Sequence, residues 1–190
     1  MELFWYDIKQ MDGETYHRAL AQMSPVRQKR VKEIAAEDDR KRTVAAELLA
    51  RRVVGEKLGI APEQVALTVD ENEKPRIEGD PMYISMSHSG AWAVCAVADK
   101  PVGVDVEVIR GAQEKFIGRV CSEEEQKYIR YGDAGCFQRF WECWTAKEAL
   151  FKLTGKGPLL ALSRFALPES VALELILCNG CAVTVASRLE

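Results

Sequence analysis

The spacing of apolar residues changes from a helical to an extended period near residue 60, and this change most constrains the fold. From about residue 38 to 58, apolar side chains recur at helical spacing, acidic residues stand at the start and Gly59 follows the last turn, which predicts one long helix. Short apolar runs bounded by turn residues then predict strands of a small antiparallel sheet. These strands cover residues 65–69, 75–78, 83–87 and 92–98.

The second half of the chain repeats this mixture of helix and strand. It is predicted to contain a strand over 102–108, helices over 123–131 and 136–153, and a terminal hairpin across Asn179-Gly180. Two shorter helices, over 15–23 and 26–36, are predicted before the long helix. The recurrence permits two related α+β subdomains that meet near residue 100.

Charge and hydropathy exclude several classes of protein. The net charge of −3 and the pI near 5.6 argue against a general nucleic-acid binder, which usually carries a strongly basic face. The longest apolar run, Ala91–Ala98, is far shorter than the roughly 20 residues of a membrane span. Asp7 and Lys9 interrupt the apolar patch near the N-terminus, so no secretory signal is predicted. We expect a cytoplasmic protein that binds neither nucleic acid nor membrane.

The six cysteines fit that compartment as reduced thiols. Cys178 and Cys181 have the C-x-x-C spacing of a metal site, but the sequence holds no second ligand pair and its only histidines are His17 and His88. A hairpin turn at Asn179-Gly180 is the favoured interpretation of this spacing.

The segment Gly103–Val108 carries the first pattern with chemical meaning. Because side chains alternate along a strand, Asp105 and Glu107 share one face with Gly103, while the intervening valines face the core. Mg²⁺ prefers oxygen ligands and typically takes one or two carboxylates together with substrate phosphates and water. The pair is a candidate ion site, although for this segment taken alone an exposed acidic strand face is the favoured interpretation.

The segment 140–152 is strongly helical and is followed by Thr154-Gly155. Trp144, Glu148 and Lys152 recur every four residues and therefore lie on one face of the helix. An ordinary i,i+4 salt bridge between Glu148 and Lys152, worth about 0.2–0.5 kcal/mol, is the alternative interpretation.

Small hydroxyl residues surround His88 in the segment Ser85–Gly90. A serine hydrolase is disfavoured, because neighbouring side chains on an extended chain point to opposite faces and no G-x-S-x-G pattern is present in the sequence. Hydroxyls, backbone N–H groups and an imidazole that can be protonated suit a phosphate. A turn histidine with a merely local hydrogen bond is the alternative.

Taken together, the three segments resemble the signatures of the Sfp-type 4′-phosphopantetheinyl transferases, which are an S-H-S element, a G-[IV]-D-[IV]-E strand and a W-x-x-K-E-x-x-x-K helix. All three occur here in family order. The resemblance extends to the basic region near 27–42, to Lys74-Pro75 and to Gly155-Lys156-Gly157, and so covers residues 24–167.

This resemblance implies a fold and a reaction. The fold is a pseudo-twofold pair of small α+β subdomains, each an antiparallel sheet packed with helices, over residues 1–100 and 101–190, with coenzyme A bound between them. The enzyme transfers the 4′-phosphopantetheine moiety of coenzyme A to a serine of an apo acyl or peptidyl carrier protein and releases adenosine 3′,5′-bisphosphate. We expect it to act as a monomer.

The resemblance also implies the roles of individual residues. Asp105, Glu107 and Glu148 match the Mg²⁺ ligands, and Lys152 matches a lysine that contacts phosphate. We predict that Glu148 takes the serine proton, directly or through water, and that Lys152 stabilises or protonates the leaving phosphate. The positions that hold the nucleotide end of coenzyme A correspond to Arg27, Arg30, Arg42, Lys74, Ser87 and His88.

Two features depart from the family pattern. Glu73 stands where the family often has glycine before the Lys-Pro pair, which affects the course of the loop around Lys74. The segment after Gly157 is short for a monomeric member, so we expect one hairpin of the second sheet to be abbreviated.

Two other functions use the same residues. A catalytically idle module that binds coenzyme A or a carrier protein could keep the fold, but the intact set of Asp105, Glu107, Glu148 and Lys152 argues against it. Nucleic-acid binding through the helices over 27–52 would need a basic field, which interleaved acidic residues weaken.

Overall fold

The computed structural model describes residues 1–70, 74–79, 81–132, 134–155 and 162–189. Contacts divide the chain into two units, Met1–Lys100 and Pro101–Glu190. Each unit contains helices and antiparallel strands, which confirms the predicted α+β class. No helix within the described ranges is both long enough and apolar enough to cross a membrane.

The helices of the first unit have recognisable caps at some of their ends. They are α1 (Gly13–Gln22), α2 (Pro25–Glu33) and α3 (Glu37–Leu58). Asp12 accepts a hydrogen bond from the Thr15 N–H at 2.8 Å, so α1 begins two residues before the predicted start. The first turn of α3 is acidic, which suits the positive end of the helix dipole, and Gly59 ends the helix at φ 67°.

The strands of the first unit form two sheets. They are β1 (Glu2–Asp7), β2 (Leu67–Val69), β3 (Pro75–Ile77), β4 (Tyr83–Ser89) and β5 (Trp92–Ala98). One sheet has the order β1-β5-β4, and β2 pairs with β3 in the other. The sequence did not predict β1, which lies at the edge and pairs with β5 in antiparallel register.

The core of the first unit forms where α3 lies against the three-stranded sheet. Val44, Leu48 and Val54 of the helix belong to the same apolar cluster as Ile84 and Val97 of the sheet. Burying a side chain of this size contributes about 1.5–3 kcal/mol, so this layer fixes α3 against β4 and β5.

The second unit combines one sheet with helices. In chain order it contains β6 (Val102–Val108), α4 (Glu114–Val120), α5 (Glu123–Ile129), α6 (Cys136–Thr154), β7 (Val171–Cys178) and β8 (Cys181–Arg188). The strand order in its sheet is β6-β8-β7, with antiparallel pairing throughout. Among the described residues, this unit has three strands, whereas the first unit has the additional β2–β3 pair.

The turn between β7 and β8 confirms the predicted hairpin. Asn179 and Gly180 both have positive φ, 53° and 70°, as a two-residue type I′ turn requires. Cys178 and Cys181 are directly opposite each other in the register and are free thiols.

Candidate active site

A close approach of α6 to β6 positions the acidic residues of the second unit. A Cβ on Gly103 would lie 2.1 Å from the Ala149 carbonyl oxygen and 2.6 Å from the Leu153 nitrogen, so only glycine fits there. Asp105 and Glu107 follow Gly103 on the same face of the strand. The C-terminal half of α6 therefore covers the strand face that carries both carboxylates.

Both faces of β6 are covered, because Val102, Val104 and Val106 on the other face have no exposed surface. Asp105 is also buried, at 5% exposure, and Glu107 is half-buried. The interpretation of this segment as an exposed acidic face is therefore wrong. Burying a carboxylate is costly unless it is paired, so Asp105 needs a cationic partner.

Lys152 in the last turn of α6 supplies that partner. Its Nζ donates to Asp105 Oδ1 at 2.7 Å, and its side chain remains 28% exposed. The lysine thus joins the helix to the strand at a distance typical of a charge-assisted hydrogen bond.

Glu148 lies one helical turn before Lys152 and is half-buried. Burial raises the pKa of the Glu148 carboxyl, the negative charge of Asp105 raises it further, Lys152 opposes the shift and Glu107 adds to it. Asp105, Glu107 and Glu148 therefore lie within electrostatic reach of one another. Such a group of carboxylates takes up a proton or a cation more readily than an isolated carboxylate does.

The donors of this cluster are suited to a hard cation, although they are not assembled as a finished ion site. Among the residues that the structure describes, no three His, Cys, Asp or Glu side chains form a group that could hold a metal ion as they stand. The donors are nevertheless carboxylate oxygens, the ligands that Mg²⁺ prefers beside substrate phosphates. Asp105, Glu107 and Glu148 are the residues that fit a cation by their chemistry.

In the first unit, the start of α3 lies over the turn between β4 and β5. The Arg42 Nη1 donates to the Gly90 carbonyl at 3.3 Å, and Thr43 Oγ1 lies 3.5 Å from His88 Nε2. The structure therefore brings Arg42 and His88, two of the predicted site residues, to the same turn. Ser87 precedes His88 on β4 and is buried, and Gly90 has φ 56° at the turn.

Arg27, another predicted site residue, is partly buried and pairs with the buried Glu47. Its Nε donates to Glu47 Oε2 at 3.1 Å, and the same carboxylate pairs with Arg51 at 3.1 Å. Arg51 also donates to the Val65 carbonyl. Glu47 thus ties α2 to α3 through Arg27, while Arg30 lies on the exposed side of α2.

Lys74 stands immediately before β3 and contacts Asp70, the residue that follows β2. Its backbone N–H donates to Asp70 Oδ1 at 3.0 Å. Burial lowers the pKa of the Lys74 ammonium, the nearby Arg76 lowers it further, and Asp70 opposes the shift. Lys74 is therefore a partly desolvated cation. Glu73, Lys156 and Gly157 lie outside the described residues.

The structure also reveals charged residues that the sequence interpretation did not select. Asp39 binds Arg42 at i,i+3 spacing, and Glu47 binds Arg51 at i,i+4 spacing, so helical spacing could have indicated both pairs. Glu125 and Lys147 form an ion pair of 2.8 Å in which neither side chain is exposed. These two residues lie on different helices, and no local pattern links them.

Comparison with known proteins covers both units. Residues 101–180 match the family described as the 4′-phosphopantetheinyl transferase superfamily, and residues 10–100 match the family described as 4′-phosphopantetheinyl transferase, N-terminal.

Individual relatives agree with these matches. The chain is 32% identical over 172 residues to 4′-phosphopantetheinyl transferase psf-1 of Bacillus pumilus, a match that covers 87% of this chain and 73% of the relative. It is 30% identical over 151 residues to a 4′-phosphopantetheinyl transferase of Bacillus subtilis, covering 78% and 67% of the two chains. The Sfp protein of Bacillus subtilis strain 168, also named a 4′-phosphopantetheinyl transferase, is 26% identical over 162 residues, covering 84% and 72%.

Proposed function

This chain belongs to the 4′-phosphopantetheinyl transferase superfamily, and we propose that Asp105, Glu107, Glu148 and Lys152 carry its chemistry. The enzyme transfers the 4′-phosphopantetheine moiety of coenzyme A to a serine of a carrier protein and releases adenosine 3′,5′-bisphosphate. The observation that carries the proposal is the cluster on β6 and α6, where Lys152 binds Asp105 and where burial and the charges of Asp105 and Glu107 raise the pKa of Glu148.

Asp105, Glu107 and Glu148 would hold Mg²⁺ in this proposal. A bound Mg²⁺ would neutralise the pyrophosphate of coenzyme A and stabilise the charge that develops during phosphoryl transfer. The support is the chemistry of the donors, which are all carboxylate oxygens, and the raised pKa of Glu148, which follows from burial and from the charges of Asp105 and Glu107.

Glu148 acts as the general base. Burial and the neighbouring carboxylates raise the pKa of Glu148, so its carboxylate accepts a proton more readily than that of an ordinary glutamate. In the proposed reaction it takes the proton of the carrier serine, directly or through water, as the serine oxygen attacks the phosphorus nearer to pantetheine. No covalent enzyme intermediate is required.

Lys152 stabilises or protonates the leaving phosphate. Its side chain is partly exposed, so in this proposal it contacts a substrate anion while it stays attached to β6 through Asp105. Removing a positive charge at this point would leave the departing phosphate uncompensated, which is the reason we place Lys152 in the transition state.

The first unit holds the nucleotide end of coenzyme A in this proposal. Arg42 and His88 are supported by their shared position at the β4–β5 turn, and Ser87 by its place beside His88. Lys74, Arg27 and Arg30 are included because they match basic positions of the family. Arg27 already binds Glu47, so we expect its contribution to be smaller than that of Arg42.

Transfer to several apo carrier proteins tests the function. The protein is incubated with coenzyme A and Mg²⁺ and with one apo acyl or peptidyl carrier protein at a time, and each product is read by intact mass. Matched reactions with metal-free reagents and excess EDTA should show no transfer, and added Mg²⁺ or Mn²⁺ should restore it. Undiminished turnover in EDTA would contradict the ion site, while absence of transfer to every carrier in Mg²⁺ would favour an idle binding module.

The same proposal covers the class of acceptor protein and the division into subdomains. We propose that the acceptor is an apo acyl or peptidyl carrier protein and that units 1–100 and 101–190 are the two related subdomains. The monomeric state, the lack of nucleic-acid binding and the cytoplasmic location stay predictions.

A further inference from the structure

Asp39 and Arg42 form the contact from which the inference starts. Both lie in the first turns of α3, three residues apart. Arg42 donates from Nε to Asp39 Oδ1 at 3.1 Å and also from Nη2 to the same oxygen. Its Nη1 donates to the Gly90 carbonyl at 3.3 Å. Each of the three guanidinium nitrogens is therefore bound once by the protein.

These contacts leave Arg42 held but still able to bind an anion. A guanidinium has five N–H donors, and the three contacts use one donor on each nitrogen. Within the part of the chain that the structure describes, one donor on Nη1 and one on Nη2 remain, and the Arg42 side chain keeps 23% of its surface exposed. These two N–H groups, one on each terminal nitrogen, suit a phosphate, whose oxygens accept charge-assisted hydrogen bonds.

The Asp39 carboxyl is ionised at neutral pH, because its pKa is lowered. Hydrogen bonds from Arg42 and its positive charge lower the pKa of the Asp39 carboxyl, burial opposes the shift, and His88 lowers the pKa further. Asp39 is therefore ionised whenever Arg42 is expected to bind substrate. A carboxylate beside an anion site repels the anion, so Asp39 does not act by attracting the phosphate. Its role must come from its contact with Arg42.

We propose that Asp39 is a positioning residue for coenzyme A, because it fixes the guanidinium of Arg42 so that two of its N–H groups are presented to the ribose phosphate. The proposal rests on the assignment of Arg42 to that phosphate in the proposed function. Without Asp39, the arginine side chain is free to adopt other rotamers, and each binding event must order it again. The loss affects binding before and during reaction equally, so it raises KM and leaves kcat unchanged.

Kinetics with Asp39→Ala test the proposal, with Asp38→Ala as the matched control. Asp38 carries the same charge in the same turn of α3 and is exposed, so its removal perturbs the helix dipole to a similar extent. With a saturating apo carrier protein, Asp39→Ala should raise KM for coenzyme A about tenfold and keep kcat within about twofold of the parent value. Asp38→Ala should change neither constant, and Asp39→Asn, which keeps one acceptor oxygen, should have a smaller effect than Asp39→Ala.

Dephospho-coenzyme A separates positioning of Arg42 from a general effect on the helix. This cofactor lacks the ribose phosphate, so Asp39→Ala should leave its calorimetric Kd unchanged while the Kd for coenzyme A rises. Equal weakening for both cofactors, an equal effect of Asp38→Ala, or tighter binding of coenzyme A to Asp39→Ala would overturn the proposal.

Arg42→Ala identifies which assignment has failed. If Arg42→Ala still discriminates between the two cofactors as the parent enzyme does, Arg42 does not read the ribose phosphate, and the proposed function is wrong at this residue. If Arg42→Ala loses that discrimination while Asp39→Ala retains it at the parent level, the role of Asp39 alone is wrong.

Discussion

Lys152 Nζ lies 2.7 Å from Asp105 Oδ1, so the last turn of α6 neutralises the buried carboxylate of β6. Glu107 and Glu148 add two further carboxylates to the same electrostatic neighbourhood. When all four groups are ionised, their formal charge is that of three anions and one cation, which a divalent cation can balance. The Lys152–Asp105 ion pair stabilises the buried Asp105 carboxylate when no metal is bound. The remaining negative charge of the site attracts a divalent cation.

Glu148→Gln should reduce transfer strongly while the fold survives. The change keeps the shape of the side chain but removes its basicity and one negative charge. If Glu148 is both ligand and base, single-turnover transfer to an apo carrier protein should fall at least about a hundredfold, the lower range for general acid–base catalysis. Glu174→Gln, at an exposed position of β7, is the control. Near-normal transfer by folded Glu148→Gln protein would place the chemistry elsewhere.

The same variant should be more stable than the parent protein in EDTA at neutral and higher pH. The pKa of Glu148 is raised in the folded chain, so the folded chain binds its proton more tightly than the unfolded chain does. Ionised Glu148 therefore lowers stability above its unfolded pKa, and the penalty is complete only above its folded pKa.

Thermal melting across pH checks this sign. As the pH falls from 8 toward 3, the advantage of Glu148→Gln in Tm should shrink and then vanish, because below its ordinary pKa of about 4.3 the unfolded glutamate becomes protonated as well. A difference in Tm that does not depend on pH would point to packing instead of charge.

Arg42→Ala and His88→Ala should chiefly weaken the binding of coenzyme A. Both residues are assigned to the nucleotide end, where contacts exist before and during reaction, so KM should rise more than kcat falls. Losing one hydrogen bond to a charged group corresponds to about a tenfold or larger rise in KM. Lys41→Ala removes the same charge from the neighbouring position of α3 and serves as the control. A fall in kcat with unchanged KM would contradict the assignment.

Gly103→Ala should destabilise the second unit and lower activity together. The added Cβ would meet backbone atoms of Ala149 and Leu153 at 2.1 and 2.6 Å, and neither can rotate away. Overpacking of this kind typically costs about 1–3 kcal/mol, and rigid backbone neighbours favour the upper end or more. Denaturant unfolding measures the loss.

Gly118→Ala provides the control for this substitution. Gly118 lies in α4, and an added Cβ there has no described atom within 4 Å. It should be neutral or stabilising by about 0.4–1 kcal/mol, because alanine restricts the unfolded chain more than glycine does. Similar destabilisation by both substitutions would argue against a specific approach of α6 to β6.

Local patterns predicted much of the fold. The long α3, the strand with alternating Asp105 and Glu107, and the Asn179-Gly180 hairpin each depend on interactions within a few residues, which a sequence displays directly. The edge strand β1 was missed because its pairing with β5 joins residues about ninety positions apart along the chain. The short helix α4 lacked both a side-chain cap and a long apolar period.

For the candidate site, the sequence by itself determined which side chains could act, because the residue types and spacings of Asp105, Glu107, Glu148 and Lys152 suit phosphate chemistry whatever surrounds them. Only the tertiary structure decided that Lys152 binds Asp105, that Arg27 binds Glu47 and that Arg42 lies beside Gly90. The pKa of a charged group and the strength of its ion pairs depend on its burial and on the charges that folding brings near it. The distances between residues far apart in the chain are not encoded by local spacing.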